Sequence, residues 1–266
     1  VWGAQSTTPQ APGGRRWAVP AGNEMRAVGG ITWRTAAVFC NWLHNGKGTN
    51  RAAFLDGAYD VSTFGSQGGG FLDQLTRSPG AQYWIPSTHE WLKAAHYDPA
   101  KQNSDGTVGG WWQYSNGSET NYGYGPPGVV VRADGFPSPD PNGVLATANA
   151  GWDGSFFPGQ NAQQVPLGSY ATTNPWGLFD VAGVTAEWTE GFFQTPGEPL
   201  PRERYLDGSS WEIVVPWTAD RVGFGQSSPP FVAFSNFGFR VATVPTPGPL
   251  MVVLLSPLLA ARRWRR

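Results

Sequence analysis

In the stretch GLFDVAGVTAEWTEG, residues 177–191, Asp180 and Glu187 flank Gly183, with aromatic residues on both sides. A hard cation such as calcium takes about six to eight oxygen ligands, commonly carboxylates together with main-chain carbonyls of a tight turn. The order D-x-x-G-x-T-x-E can supply that set. The alternative is structural: Asp180 caps a turn, Glu187 accepts from main-chain amides in an aromatic interior, and no ion is involved. Either way these acids need a cation or several donors, because burying an unpaired carboxylate is costly.

The other reactive side chains are few. Of the three histidines, His89 and His96 lie on one expected helix, where seven residues of rise, about 10 Å, separate them too far to share a metal directly. HEWLK is not an HExxH zinc motif, because Lys93 stands where the second histidine belongs. His44, His89 and His96 are therefore expected to be solvated or capping. Ser209 and Ser210 in GSSW have no base evident in the sequence, and no G-x-S-x-G elbow occurs. Glycosidase-type carboxylate pairs could be drawn from many acids, but spacing along the chain fixes no separation. Cys40 is the sole cysteine, so no intrachain disulfide can form.

Two helices are expected to position these groups. Ala36, Phe39, Cys40 and Leu43 recur at the spacing of one helix face, with Thr32 as N-cap and Asn45-Gly46 as the stop. That places Cys40 on a buried stripe, where a free thiol packs as a small hydrophobe. The second helix starts at the S-x-x-E capping box of Ser87 and Glu90, and Trp91, Ala94 and Ala95 follow on one face. From about 100 to 176 the chain reads as loop, interrupted by strand-like runs such as 128–132. RYLDGSSWEIVV and NFGFRVATV suggest paired strands. Residues 1–30 read as irregular chain or the remainder of a domain start.

Charged residues make up only 14% of the chain, against about 25% in an average soluble protein, and 36 Gly with 24 Pro favour a loop-rich fold over a helical bundle. Fourteen Trp, 15 Phe and 8 Tyr must supply most of the buried area. A net charge of −1 gives no sign of a nucleic-acid partner.

The blocks ITWRTAAVFCNWL, YWIPSTHEWLKAA, NPWGLFDVAGVTAEWTEG, YLDGSSW and NFGFRVAT occur in a fixed order. That order resembles the sulfatase-modifying-factor family, whose best-known members are formylglycine-generating enzymes, over a domain of residues 31–243. The resemblance implies an α+β, irregular, loop-rich variant of the C-type-lectin fold, with two main helices and short antiparallel sheets. It also implies calcium as a structural ion at the side chains of Asp180 and Glu187 and the carbonyls of Gly183 and Thr185, and makes Asn149 part of a second calcium site. Catalysis in the family depends on two cysteines that bind copper, and their positions here hold Ile213 and Thr218. Neither binds copper(I) as a thiolate, so no copper is expected and no catalytic residue is assigned. A branch of the family uses iron held by histidines, a role His44, His89 and His96 do not suit.

The last segment, 244–266, has a Pro-rich lead, an apolar run at 250–261 and an Arg cluster at 262–266. Twelve apolar residues fall short of the roughly 20 that span a bilayer as a helix. The layout resembles the PEP-CTERM sorting tail of bacterial envelope proteins, departing from it at Thr246 between Pro245 and Pro247. By that resemblance the protein is exported to the cell envelope or beyond, is held transiently in the membrane by its C-terminus, and has exosortase-type sorting machinery as a partner. The alternative is an apolar helix docked on the body.

Together these readings predict a pseudo-enzyme with a binding or structural role, its ligand a glycan or surface polymer. Trp111, Trp112, Tyr114, Tyr122 and Tyr124 are rings that either line such a site or, the favoured alternative, fill the core. The rival class is an oxidoreductase of the same family that uses an undisclosed metal or partner subunit.

Overall fold

The computed structural model describes residues 5–6 and 17–244. The segment beyond Val244, with its apolar run and Arg cluster, lies outside the described residues.

Both expected helices form where local chemistry starts and stops them. Helix α1 spans Trp33–His44; the Thr32 side chain accepts from the Thr35 amide at its start, and the Asn45 amide closes its end on the carbonyls of Asn41 and Leu43. A one-turn helix α2 follows at Ala52–Leu55. Helix α3, Thr88–His96, opens on a complete capping box in which Ser87 and Glu90 each accept from the other's amide. A further single turn, α4, covers Pro216–Ala219.

The main sheet has four strands in the order Gln226–Ser228, Glu203–Asp207, Ala186–Phe193, Phe237–Phe239. Its first two pairings are antiparallel. The third is parallel, with Ala186 opposite Phe237 and Trp188 opposite Phe239. The RYLD and NFGF segments are paired strands as expected, lying on opposite edges of Ala186–Phe193, and the residues after Asp207 leave the sheet. Ala242–Thr243 instead pairs with Tyr83–Trp84. The segment expected to be loop contains the hairpin Tyr97–Gln102/Val108–Trp111 and the short pairing Val130–Val131/Val144–Leu145. The described residues thus form a loop-rich α+β fold of four α-helices and mostly antiparallel two- to four-stranded sheets.

Aromatic rings seal the core between α1 and the sheet. Trp33, Ala36, Ala37 and Cys40 of α1 pack with Tyr59, Trp84, Ile85, Trp188, Leu206 and Phe237, all buried. The two indoles cross-link the layers: Trp33 Nε1 donates to the Thr189 carbonyl at 3.1 Å and Trp188 Nε1 to the Ile31 carbonyl at 3.0 Å. Edge-on pairs Trp33–Tyr59 at 5.2 Å and Trp188–Phe237 at 5.3 Å fill the interior.

Arg204 is enclosed in this layer. Its Nη1 donates to the carbonyls of Leu75 and Glu190, its Nη2 donates to that of Gln74, and its guanidinium carbon lies 3.8 Å from the Trp33 ring centroid. Burial lowers its pKa to about 10, still charged at neutral pH. Such a cation is tolerable only because three carbonyls and an aromatic face replace its water.

Candidate functional site

The turn that carries Asp180 and Glu187 is held from three sides. Gly183 pairs with Asn149 as an isolated parallel bridge, and the Val184 amide donates to the Asn149 carbonyl at 2.8 Å. The Gly183 amide donates to Ser209 Oγ at 2.9 Å, which ties the turn to the GSSW loop. A side chain at 183 is excluded twice over: φ is +83°, and a Cβ would lie 2.5 Å from the Asn149 carbonyl oxygen. Asp180 and Val184 also take positive φ, 52° and 63°. For a β-branched residue such as Val184 this is a strained conformation, of the kind that collects at binding sites.

Glu187 enters the main sheet with its carboxylate buried. Its Oε2 accepts from Trp91 Nε1 and from Arg240 Nε, both at 2.7 Å. Arg240 then reaches across the turn: Nη1 donates to the Phe179 carbonyl at 3.1 Å and Nη2 to that of Asp180. Asp180 Oδ2 accepts from the Gly168 amide at 2.7 Å. Burial raises the pKa of both acids; Arg240 opposes the rise in each, and the charge of Asp180 adds to it at Glu187. Directly opposite Glu187 across the sheet is Asp207, whose Oδ2 is buried with no donor. Burial, then the charge of Glu187, pushes Asp207 up to about 7.

The structure therefore brings Asp180, Gly183, Thr185, Glu187 and Asn149 into one neighbourhood. The structural alternative needs amending, since Glu187 takes side-chain donors, not main-chain amides. Sequence reasoning missed Arg240 and Trp91. The only signal was an arginine alone in the apolar run NFGFRVA. Asn149 is almost fully buried; its Nδ2 donates to the Ala162 carbonyl at 2.9 Å, while its Oδ1 has no partner. At the first expected site Arg240 already supplies a cation to Glu187; at the second, the orphaned Oδ1 of Asn149 is an acceptor that a hard cation could take.

The GSSW loop is anchored on a buried acid that the sequence did not reveal. Asp220 Oδ1 accepts from the Ser209 amide, and its Oδ2 accepts from Ser209 Oγ and the Tyr124 hydroxyl, each at 2.9 Å. Burial still pushes Asp220 up to about 7. Ser209 faces this carboxylate and the Gly183 amide, so its hydroxyl is a structural link. Ile213 and Thr218, at the family's two cysteine positions, are half-buried. Cys40 is completely enclosed in the α1 core, where burial pushes its thiol up to about 12.

The remaining candidates separate. His44 Nδ1 accepts from the Gln82 amide at 3.1 Å, and His89 is exposed. His96 departs from the solvated or capping expectation: it is buried, its Nδ1 has no partner, and burial pulls its pKa down to about 4. Tyr114, Tyr122 and Tyr124 form a core cluster beneath the loops. Trp112 is half-buried under the Lys101 ammonium, and Trp111 is exposed.

Over 100 residues the chain is 31% identical to the inactive C-alpha-formylglycine-generating enzyme 2 of Mus musculus, covering 35% of its own length and 32% of that protein. The Bos taurus protein of the same name is 30% identical over the same length, with the same coverage. The chain thus spans about a third of the length of these curated relatives. Among solved structures, CarF aligns with a TM-score of 0.47 at 19% identity over 92% of this chain and 75% of its own. PvdO from Pseudomonas aeruginosa aligns at 0.45 and 16%, over 92% and 72%. The model of the sulfatase-modifying factor enzyme 1-like domain matches residues 6–244, and the chain belongs to that family.

Proposed function

We propose that this protein is a non-catalytic member of its family, exported to the cell envelope, where the domain binds a ligand or serves as scaffold, with calcium as a structural ion. One observation carries the non-catalytic reading. The positions of the family's thiol pair hold Ile213 and Thr218, and the chain's sole thiol, Cys40, is sealed in the core with its thiolate strongly disfavoured. The copper chemistry of the family's enzymes rests on an accessible thiolate pair. The word "inactive" in the names of the two mammalian relatives supports the same reading. Support for export is compositional: the apolar run and Arg cluster beyond Val244.

For calcium, Asp180 and Glu187 would supply carboxylate oxygens, Gly183 and Thr185 main-chain carbonyls, and Asn149 its orphaned Oδ1 at the second site. The ion would supply charge neutralisation and no reaction step. The decisive experiment incubates the purified chain with copper(I) or iron(II), oxygen and a cysteine-containing peptide. No turnover and no stoichiometric metal are expected; turnover would overturn the non-catalytic reading. For the ion, a chelator is expected to lower the melting temperature and Glu187→Ala to abolish that sensitivity, because an ion held only by the folded state stabilises it. Identical melting with and without chelator would refute the calcium assignment.

A further inference from the structure

Beside the Asp180–Glu187 turn opens a cavity of about 630 Å³, within the range of small-molecule sites, roughly 300–1,000 Å³. Met25, Val28, Phe39, Phe179 and Val241 line it, and all five are exposed. So many large apolar side chains converging on one concavity mark a binding surface better than the same residues scattered singly.

Four charged side chains border the cavity: Arg26, Asp180, Glu187 and Arg240. Glu187 and Arg240 are paired with each other, and Asp180 accepts from the Gly168 amide. Arg26 is different. Its main-chain amide closes a turn on the Asn23 carbonyl, but its side chain forms no ion pair among the described residues, and its Nε is shielded from water with no acceptor. Since water does not reach the Nε, the donors left for a bound anion are the two Nη groups, which make no hydrogen bond among the described residues. The strained Val184 also lines this cavity.

We propose that this cavity binds a small amphipathic carboxylate, its apolar body against Phe39, Phe179 and Val28 and its carboxylate on the Arg26 guanidinium. The inference rests on the binding reading above and gives it a ligand class. Recognition is then divided: the rings supply affinity for any apolar body of suitable size, and Arg26 selects the anion. Arginine suits this because its planar fork matches a carboxylate.

The test is calorimetric titration of the full chain with three probes sharing one alkyl body: octanoate, 1-octanol and octyltrimethylammonium. Octanoate is expected to bind saturably at one site, with octanol roughly tenfold or more weaker and no binding of the ammonium. Arg26→Gln is expected to lower octanoate affinity by about tenfold or more and leave octanol unchanged. Phe179→Ala should weaken both. Absence of saturable octanoate binding to protein that melts cooperatively would overturn the proposal. So would equal affinity for octanol and octanoate, or an unchanged octanoate affinity in Arg26→Gln. Such a failure leaves the non-catalytic reading intact, whereas turnover of a cysteine peptide would sink that reading whatever octanoate does.

Discussion

Replacing Asp220 by asparagine isolates the energetic consequence of one buried carboxylate. Asp220 is buried, and its pKa rises from 3.8 to about 7. The folded state therefore holds this proton more tightly than the unfolded chain. The group's stabilising contribution is complete below pH 3.8 and is lost as pH rises through about 7. With each unit worth about 1.36 kcal/mol, linkage gives a loss of roughly 2.5 kcal/mol between pH 5 and pH 8. Asparagine cannot ionise. Its oxygen still accepts from the Ser209 amide, and its amide group meets the hydroxyls of Ser209 and Tyr124, either of which can accept. The stability difference between Asp220→Asn and the parent should thus move in favour of the variant by about 2.5 kcal/mol from pH 5 to pH 8, or some 5–10 °C in melting temperature. Urea unfolding of both proteins at the two pH values measures it. Other titrating groups, including Asp207 and His96, are common to both proteins and cancel in the difference. Parallel pH profiles would show that Asp220 titrates alike in both states and refute the reasoning.

Two further outcomes follow from buried charge and its absence. Arg204→Lys should cost about 3–5 kcal/mol in urea unfolding, because an ammonium cannot serve the carbonyls of Leu75, Gln74 and Glu190 together while lying flat on Trp33; a loss below about 1 kcal/mol would contradict the fork geometry. His96 titrates in the opposite sense to Asp220. Its folded pKa lies near 4, below the ordinary 6.5, so its contribution is present above pH 6.5 and lost as pH falls towards 4. His96→Phe should flatten the acid limb of the stability profile by up to about 3 kcal/mol, and an unchanged limb would argue against burial of the neutral ring.

How much of this was legible in the sequence depended on the distance over which each signal acts. Helices α1 and α3 could be read because their caps, Thr32 and the Ser87–Glu90 box, lie within a few residues of what they cap. The strand Ala186–Phe193 escaped because its first five residues are all buried, which erases the period-two alternation that identifies a half-exposed strand. Its parallel partner, Phe237–Phe239, is also remote in the chain. The turn residues from Asp180 to Glu187 were found through motif order, whereas Arg240 was not, because its role exists only once two distant strands lie side by side. Arg204 and Asp220 resemble ordinary surface charges in one dimension. Only the carbonyls and hydroxyls gathered around them distinguish them. For Tyr114, Tyr122 and Tyr124 composition allowed both readings, and packing chose the interior.

The closing of the sheet bears on how the protein can be made. Among the described residues Tyr83–Trp84 pairs with Ala242–Thr243 alone, and Ala186–Trp188 is incomplete until Phe237–Phe239 arrives. Pairings of such wide sequence separation are entropically late. A ribosome that has read most of this message therefore trails a chain whose tryptophan-rich interior still lacks its last wall. Its apolar faces must be shielded until translation has passed the final two strands.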